Sequence, residues 1–310
     1  MRCNGTSYIC CFAGCQSPER TRMNELELTK KLHFLIQCLQ EEMPEYAEYA
    51  LPGSYAQSFD LYRALCNVRM PSGETGHTLP EEFYAVQREV LQSITKEKGI
   101  TGAADLAPSE TDPRLVLWQG DITTLRADAI VNAANSQMLG CFSPLHGCID
   151  NIIHTMAGTE LREKCYRIMK RQQQVHGGDD QQPTAVPMIT PAYNLPVKYV
   201  VHVVGPIVSP YLKQEHREQL AACYRNCLDL AAEYGCENIA FCCISTGVFM
   251  FPQDKAAEIA VKTVKEWLDA HPGSCLKKVI FNVFKDSDLR IYQKLLVTSD
   301  SRGSKRIMGR

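Results

Sequence analysis

The sequence predicts an α/β fold: a three-layer α/β/α sandwich on a mostly parallel or mixed sheet, preceded by a small α-helical N-terminal domain. Three observations carry that prediction. From residue 114 onward, six short runs rich in Val and Ile alternate with amphipathic stretches. Those runs are apolar almost without interruption, the pattern of strands buried on both faces. Before residue 99 the alternation is absent, and apolar residues recur only at helical spacing.

Residues 1–22 carry Cys3, Cys10, Cys11 and Cys15 without periodicity. A disordered extension is expected there, with a second metal cluster as the alternative. Residues 23–98 are expected to form the helical domain. "ELELTKKLHFLIQCLQEEM" sets Leu28, Leu32, Leu35, Ile36 and Leu39 on one face, and "SFDLYRALCNVR" repeats the pattern with Leu61, Leu65 and Val68. "TLPEEFYAVQREVLQSITKEKG" opens with Thr78 and Glu81 at capping-box spacing. It carries Phe83, Val86, Val90, Leu91 and Ile94 and stops at Gly99. Residues 99–113 read as a linker by composition. The α/β domain then spans 114–298. Its strand candidates are "RLVLWQ", "DAIVNAA", "AVPMIT", "KYVVHVVG", "NIAFCCIS" and "KKVIFNVF". Helices are expected near 149–173, 214–234, 253–270 and 287–296. Residues 299–310 form a basic tail.

Composition excludes several classes. The 33 Lys and Arg against 35 Asp and Glu give a formal net charge of −2, which leaves no electrostatic footprint for nucleic acid. No run approaches ~20 apolar residues, so no membrane span is expected, and the N-terminus lacks a signal-peptide core. The 15 cysteines are an odd number. Cys66, Cys223, Cys227, Cys242 and Cys243 sit inside periodic segments and read as small core hydrophobes. A reduced, cytoplasmic chain is expected.

In α/β sheets ligands bind beyond the carboxyl ends of the strands, so function is sought in the polar segments there. No GxGxxG, GxxxxGK[ST] or GxSxG is present, which argues against a dinucleotide fold, a P-loop and a nucleophile elbow. In "QGDIT", Asp121 either accepts from an exocyclic amine or caps a turn. In "NAAN", Asn132 and Asn135 either satisfy local backbone or offer a donor and an acceptor to sugar hydroxyls. In "STGVFMFPQDKAAEIA", Ser245, Thr246 and Gly247 let backbone N–H groups approach a phosphate, with a helix start following, or form a plain turn. Phe249 either walls that site or belongs to the core. The strongest signal is "CFSPLHGC": Cys141, His146 and Cys148 offer two thiolates and an imidazole, a donor set suited to zinc. Three ligands leave one tetrahedral position open, unless Asp150 or His154 fills it.

Taken together, "GDIT", "AIVNAAN", "CIDNIIHTMAG", "ITPAYNLPVKYVVHVVGP" and "ISTGVFMFP" resemble a macrodomain over about residues 114–298. Most macrodomains carry a glycine run ahead of the helix; here "GCFSPLHGCIDNIIH" replaces it. That replacement resembles the zinc-containing subgroup, which also bears a helical N-terminal extension. The subgroup consists of ADP-ribosyl hydrolases, often linked with sirtuin-type ADP-ribosyltransferases. The resemblance therefore implies a Zn2+-dependent hydrolase that removes mono-ADP-ribose from modified protein side chains, with a sirtuin-type transferase as partner. A non-catalytic ADP-ribose reader, or an O-acetyl-ADP-ribose deacetylase, would use the same pocket. By position, the resemblance implies Asp121 and Ile122 at the adenine and Asn135 at the distal ribose. It implies Cys141, His146 and Cys148 on the zinc, with Cys148, Ile149 and Asp150 in the first phosphate-side loop. Ser245, Thr246, Gly247, Val248 and Phe249 would form the second diphosphate loop. Asp150 and Asn135 are the implied catalytic pair, orienting water or a ribose hydroxyl.

Overall fold

The computed structural model describes residues 18–177 and 181–296. Cys3, Cys10, Cys11, Cys15 and the basic tail lie outside the described residues. The chain divides into two compact units: Met1–Lys98 with Phe142–His146, and Gly99–Cys141 with Gly147–Arg310.

The first unit is helical: α1 (Pro18–Glu42), α2 (Tyr55–Val68), α3 (Ser72–Thr75) and α4 (Glu81–Lys98). On α1, the stripe Leu28, Leu32, Leu35, Ile36 and Leu39 is buried throughout. On α2 the buried face is turned by one residue from the expected one. Tyr62 and Leu65 are buried, while Leu61 and Val68 are only half-buried. The reason is a polar partner: Tyr62 donates its hydroxyl to Gln87 Oε1 at 2.9 Å inside the core, so the larger ring takes the inner place. Helix α4 starts at Glu81, so the capping box expected at Thr78 is not the helix start. Pro80 precedes it, and its carbonyl accepts from Phe83 N at 3.0 Å. Within this unit, Asn67 Oδ1 accepts from Leu145 N at 3.0 Å, and Arg63 Nη2 donates to His146 O at 2.8 Å.

The second unit is built on a six-stranded sheet. Its strands are β2 (Leu115–Gln119), β4 (Ala129–Ala134), β5 (Met188–Pro191), β6 (Tyr199–Val204), β7 (Asn238–Phe241) and β8 (Lys278–Val283), in the order β2-β8-β7-β4-β6-β5. All neighbours are parallel except β5, which runs antiparallel to β6 at the edge. Within the stretch read as a linker, β1 (Thr101–Gly102) pairs with β3 (Leu125–Arg126). Helices α5 (Ile149–Ala157) and α6 (Thr159–His176) pack on each other. So do α7 (Gln214–Glu233), α8 (Gln253–Ala270) and α9 (Asp286–Leu296) in turn. Strands β4, β6 and β8 are buried nearly end to end, which is why their sequences are apolar rather than alternating.

Three elements differ from expectation. The helix expected over 149–173 is two helices, broken at Gly158, whose φ of 95° no helix accommodates. The strand expected from Ala185 begins at Met188, because Ala185 itself sits at φ 65°. The strand expected over 238–245 ends at Phe241, where the chain leaves the sheet toward Ser245 at φ 64°. The cysteines read as core behave accordingly: Cys223, Cys227 and Cys242 are buried, and Cys66 and Cys243 half-buried. Among the described residues no helix is long and apolar enough to cross a membrane.

The helical unit holds one buried ion pair. Arg69, 2% exposed, donates from Nε and Nη2 to both carboxylate oxygens of Glu42 at 2.6 and 2.9 Å. Removing one partner strands the other charge in the core. Arg69→Ala is therefore expected to lower stability in urea unfolding by about 3–5 kcal/mol. Arg69→Met combined with Glu42→Leu should recover most of that loss. A single Ala variant as stable as the parent would contradict this account of the pair.

Candidate active site

The parallel strands finish on one edge of the sheet, and the site residues expected from the sequence follow three of those ends. Asp121 and Ile122 follow β2, Asn135 and the cysteine loop follow β4, and Ser245–Phe249 follow β7. The strand order β2-β8-β7-β4 sets these segments along one edge of the sheet.

The centre of the site is a buried carboxylate. Asp150 lies in the first turn of α5, 5% exposed. The fully buried Asn132 of β4 donates from Nδ2 to Asp150 Oδ1 at 2.8 Å. Asn135 Nδ2 donates to Gly140 O at 3.0 Å and to Asp150 Oδ2 at 3.4 Å. Burial pushes the Asp150 carboxyl up to about 6, opposed by the Asn132 hydrogen bond and the Arg162 charge. The carboxylate is thus still largely ionised at neutral pH, yet close to its titration.

The cysteine loop enters α5 through a tight approach. Gly140 has φ 81°, and a Cβ there would stand 2.8 Å from the ring of His154. Just before it, Arg162 Nε donates to Leu139 O at 2.7 Å. Cys148 caps α5, its Sγ accepting from Asn151 N at 3.4 Å. Cys141, His146 and Cys148 bring their ligand atoms within 4.8 Å of one another. Burial pushes the Cys148 thiol up to about 12. A bare thiolate is costly there, and a bound cation would remove that cost. Of the two candidates for a fourth ligand, Asp150 accepts from the two asparagine amides, while His154 is buried with neither ring nitrogen hydrogen-bonded among the described residues and with Nε2 3.6 Å from Asp150 Oδ1.

The other segments are less enclosed. Asp121 caps a 3-10 turn over Ile122–Thr124, and its Oδ1 accepts from Thr123 N at 3.0 Å and Thr123 Oγ1 at 2.6 Å. The capping arrangement therefore holds, and a carboxylate can accept further donors. After β7, Ser245 sits at φ 64°, buried, with its Oγ lacking a hydrogen-bond partner among the described residues. Gly247 and Val248 are exposed, Val248 at 70%, and Phe249 is half-buried. Helix α8 begins at Gln253, as expected from the sequence, and is not continuous with this loop. The loop closes instead on itself: Phe251 N bonds Ser245 O at 3.0 Å, and Met250 N bonds Gly247 O at 3.1 Å. Phe249 O accepts from Val208 N at 2.9 Å.

Two residues of the crevice escape sequence reading. His202, in the middle of apolar β6, lies beside Asn132 on β4; a histidine interrupting "YVVHVVG" is its only signal. Phe284, directly after β8, is 63% exposed beside the β2 end, where its carbonyl accepts from Gln119 Nε2 at 3.2 Å. An exposed aromatic ring at a strand end is recognisable once strand order is known, and strand order is not local.

Comparison with known proteins agrees with this geometry. The Macro domain family model matches residues 131–260. A protein-ADP-ribose hydrolase of Treponema medium is 49% identical over 265 residues, covering 85% of this chain and 97% of that one. The protein-ADP-ribose hydrolase of Staphylococcus aureus strain MSSA476 is 43% identical over 265 residues, covering 85% and 94%. A Trypanosoma brucei macrodomain crystallised with ADP-ribose superposes with a TM-score of 0.55 at 29% identity, over 71% of this chain and 91% of that one. With relatives this similar over nearly their whole length, and with the crevice at the carboxyl edge of the same fold, the chain belongs to the macrodomain family.

Proposed function

We propose that the protein is a zinc-dependent hydrolase that removes mono-ADP-ribose from modified protein side chains. The observation that carries this reading is the buried Asp150, held by two asparagine amides and following Cys148 of the clustered donors Cys141, His146 and Cys148 by two residues. The relatives named protein-ADP-ribose hydrolases support the substrate class.

The donor set fits zinc: two thiols and one imidazole, soft and borderline donors clustered on one short loop. Cys141, His146 and Cys148 would hold the ion. When bound, it would supply a Lewis-acid charge to the reaction. The rest of the work falls to the chain. The reaction breaks the bond from the ribose anomeric carbon to the side chain; water adds its oxygen to that carbon, and the side chain leaves with a proton. Asp150, ionised, orients the attacking water or a ribose hydroxyl and accepts its proton. Asn135 fixes the second carboxylate oxygen and faces the distal ribose. The 245–249 backbone would bind the diphosphate far from the reacting bond, and the backbone of Cys148 and Ile149 at the start of α5 would hold it on the side nearer the distal ribose. Asp121 accepts from the adenine amino group with the Ile122 backbone beside it, and the exposed ring of Phe284 offers a stacking face. A transferase that writes the same modification, such as a sirtuin-type ADP-ribosyltransferase, is the partner activity this reading requires.

Release of ADP-ribose from a mono-ADP-ribosylated protein tests the proposal. The wild type should release it and contain one zinc per chain. Cys148→Ser should lose zinc and slow release by about 100-fold or more while calorimetry still detects ADP-ribose binding. A zinc-free Cys148→Ser protein with full activity would sink the metal part of the proposal.

The diphosphate loop makes a separate forecast. A Cβ at Gly205 would collide with Ser245 Oγ and stand 2.8 Å from Ile244 Cγ2. Gly205→Ala should displace the loop and weaken ADP-ribose binding about tenfold or more. Unchanged affinity would remove the 245–249 loop from the binding site.

A further inference from the structure

Resting on the hydrolase reading above, we propose that His202 is a positioning residue for the reaction: it fixes the Asn132 amide, and through that amide the carboxylate of Asp150. The argument begins with an amide that has two hydrogens and one nitrogen to present them. Asn132 Nδ2 stands 2.8 Å from Asp150 Oδ1 and 3.2 Å from His202 Nδ1, so each hydrogen has one acceptor. The amide oxygen, by contrast, is buried with no hydrogen-bond partner among the described residues. Nothing on the oxygen side therefore decides which way the amide points. A half-turn would set that oxygen against the Asp150 carboxylate, lone pair to lone pair.

His202 decides it. Its ring must accept at Nδ1, which places the ring hydrogen on Nε2. Thr190 Oγ1 lies 3.0 Å from Nε2 and accepts it, with Cys165 Sγ at 3.9 Å on the same nitrogen. The ring is fully buried in the sheet, and burial holds it to about 3, so it is neutral at working pH. A neutral ring with hydrogen on Nε2 leaves only an acceptor facing Asn132. The strand register makes the link rigid, since Asn132 and His202 are direct partners in the β4–β6 ladder. His202 touches no reacting atom; its contribution is to keep one carboxylate in one orientation.

The test uses the full chain and two measurements. In protein carrying 15N-labelled histidine, NMR at neutral pH should find His202 with an unprotonated Nδ1 and a protonated Nε2. In release assays, His202→Leu should lower kcat about 10- to 100-fold with KM and ADP-ribose affinity nearly unchanged. His202→Asn, which keeps an acceptor near the Nδ1 position, should recover most of that loss. The opposite tautomer overturns the inference even if no variant folds. So does a His202→Leu enzyme with wild-type kcat, or one that loses only substrate affinity. A wild-type chain that releases no ADP-ribose overturns the hydrolase reading instead, and the tautomer still tests the His202–Asn132 link.

Discussion

One buried hydrogen bond organises the crevice: Asn132 Nδ2 to Asp150 Oδ1, 2.8 Å long. It ties a central strand to the first turn of α5, and that turn follows directly on the cysteine loop. A carboxylate removed from water is unstable unless donors replace its hydration. Here the donors are two asparagine amides, one in the strand and one just beyond its end. The entry of α5, the approach of Gly140 to His154 and the capping thiol of Cys148 all surround this fixed point.

The sheet can hold such a group because its strands are parallel and in register. Polar side chains at matched positions of β4 and β6 meet inside a layer that is otherwise mostly Val, Ile and Ala. Asn132, His202 and Thr190 form a chain across three adjacent strands, from beside Asp150 to the antiparallel edge. An unpaired polar group there would cost stability without return. Paired, the same groups set one orientation for one carboxylate. The 245–249 loop obeys a different constraint. Ser245 sits buried at φ 64°, close against Gly205.

Much of this was legible in the sequence because it is periodic or punctuated. Apolar runs without alternation announced strands covered on both faces, and the polar segments after them marked Asp121, Asn135, Asp150 and Ser245 as residues of one edge. What escaped depended on distant partners. The inward turn of α2 follows from Gln87, which lies on another helix. The break at Gly158 and the early end of β7 reflect local φ values that composition does not fix. His202 looked like one more buried residue of an apolar strand, because its meaning lies in its register with Asn132.

The central claim is that Asp150 serves the reaction rather than the binding of ADP-ribose. Asp150→Asn tests it most directly, since the isosteric amide keeps the packing but cannot accept a proton from water. Release from mono-ADP-ribosylated protein should fall by about 100-fold or more, while calorimetric affinity for ADP-ribose stays within a small factor of the wild type. An Asp150→Asn protein that releases ADP-ribose at the wild-type rate would contradict the account.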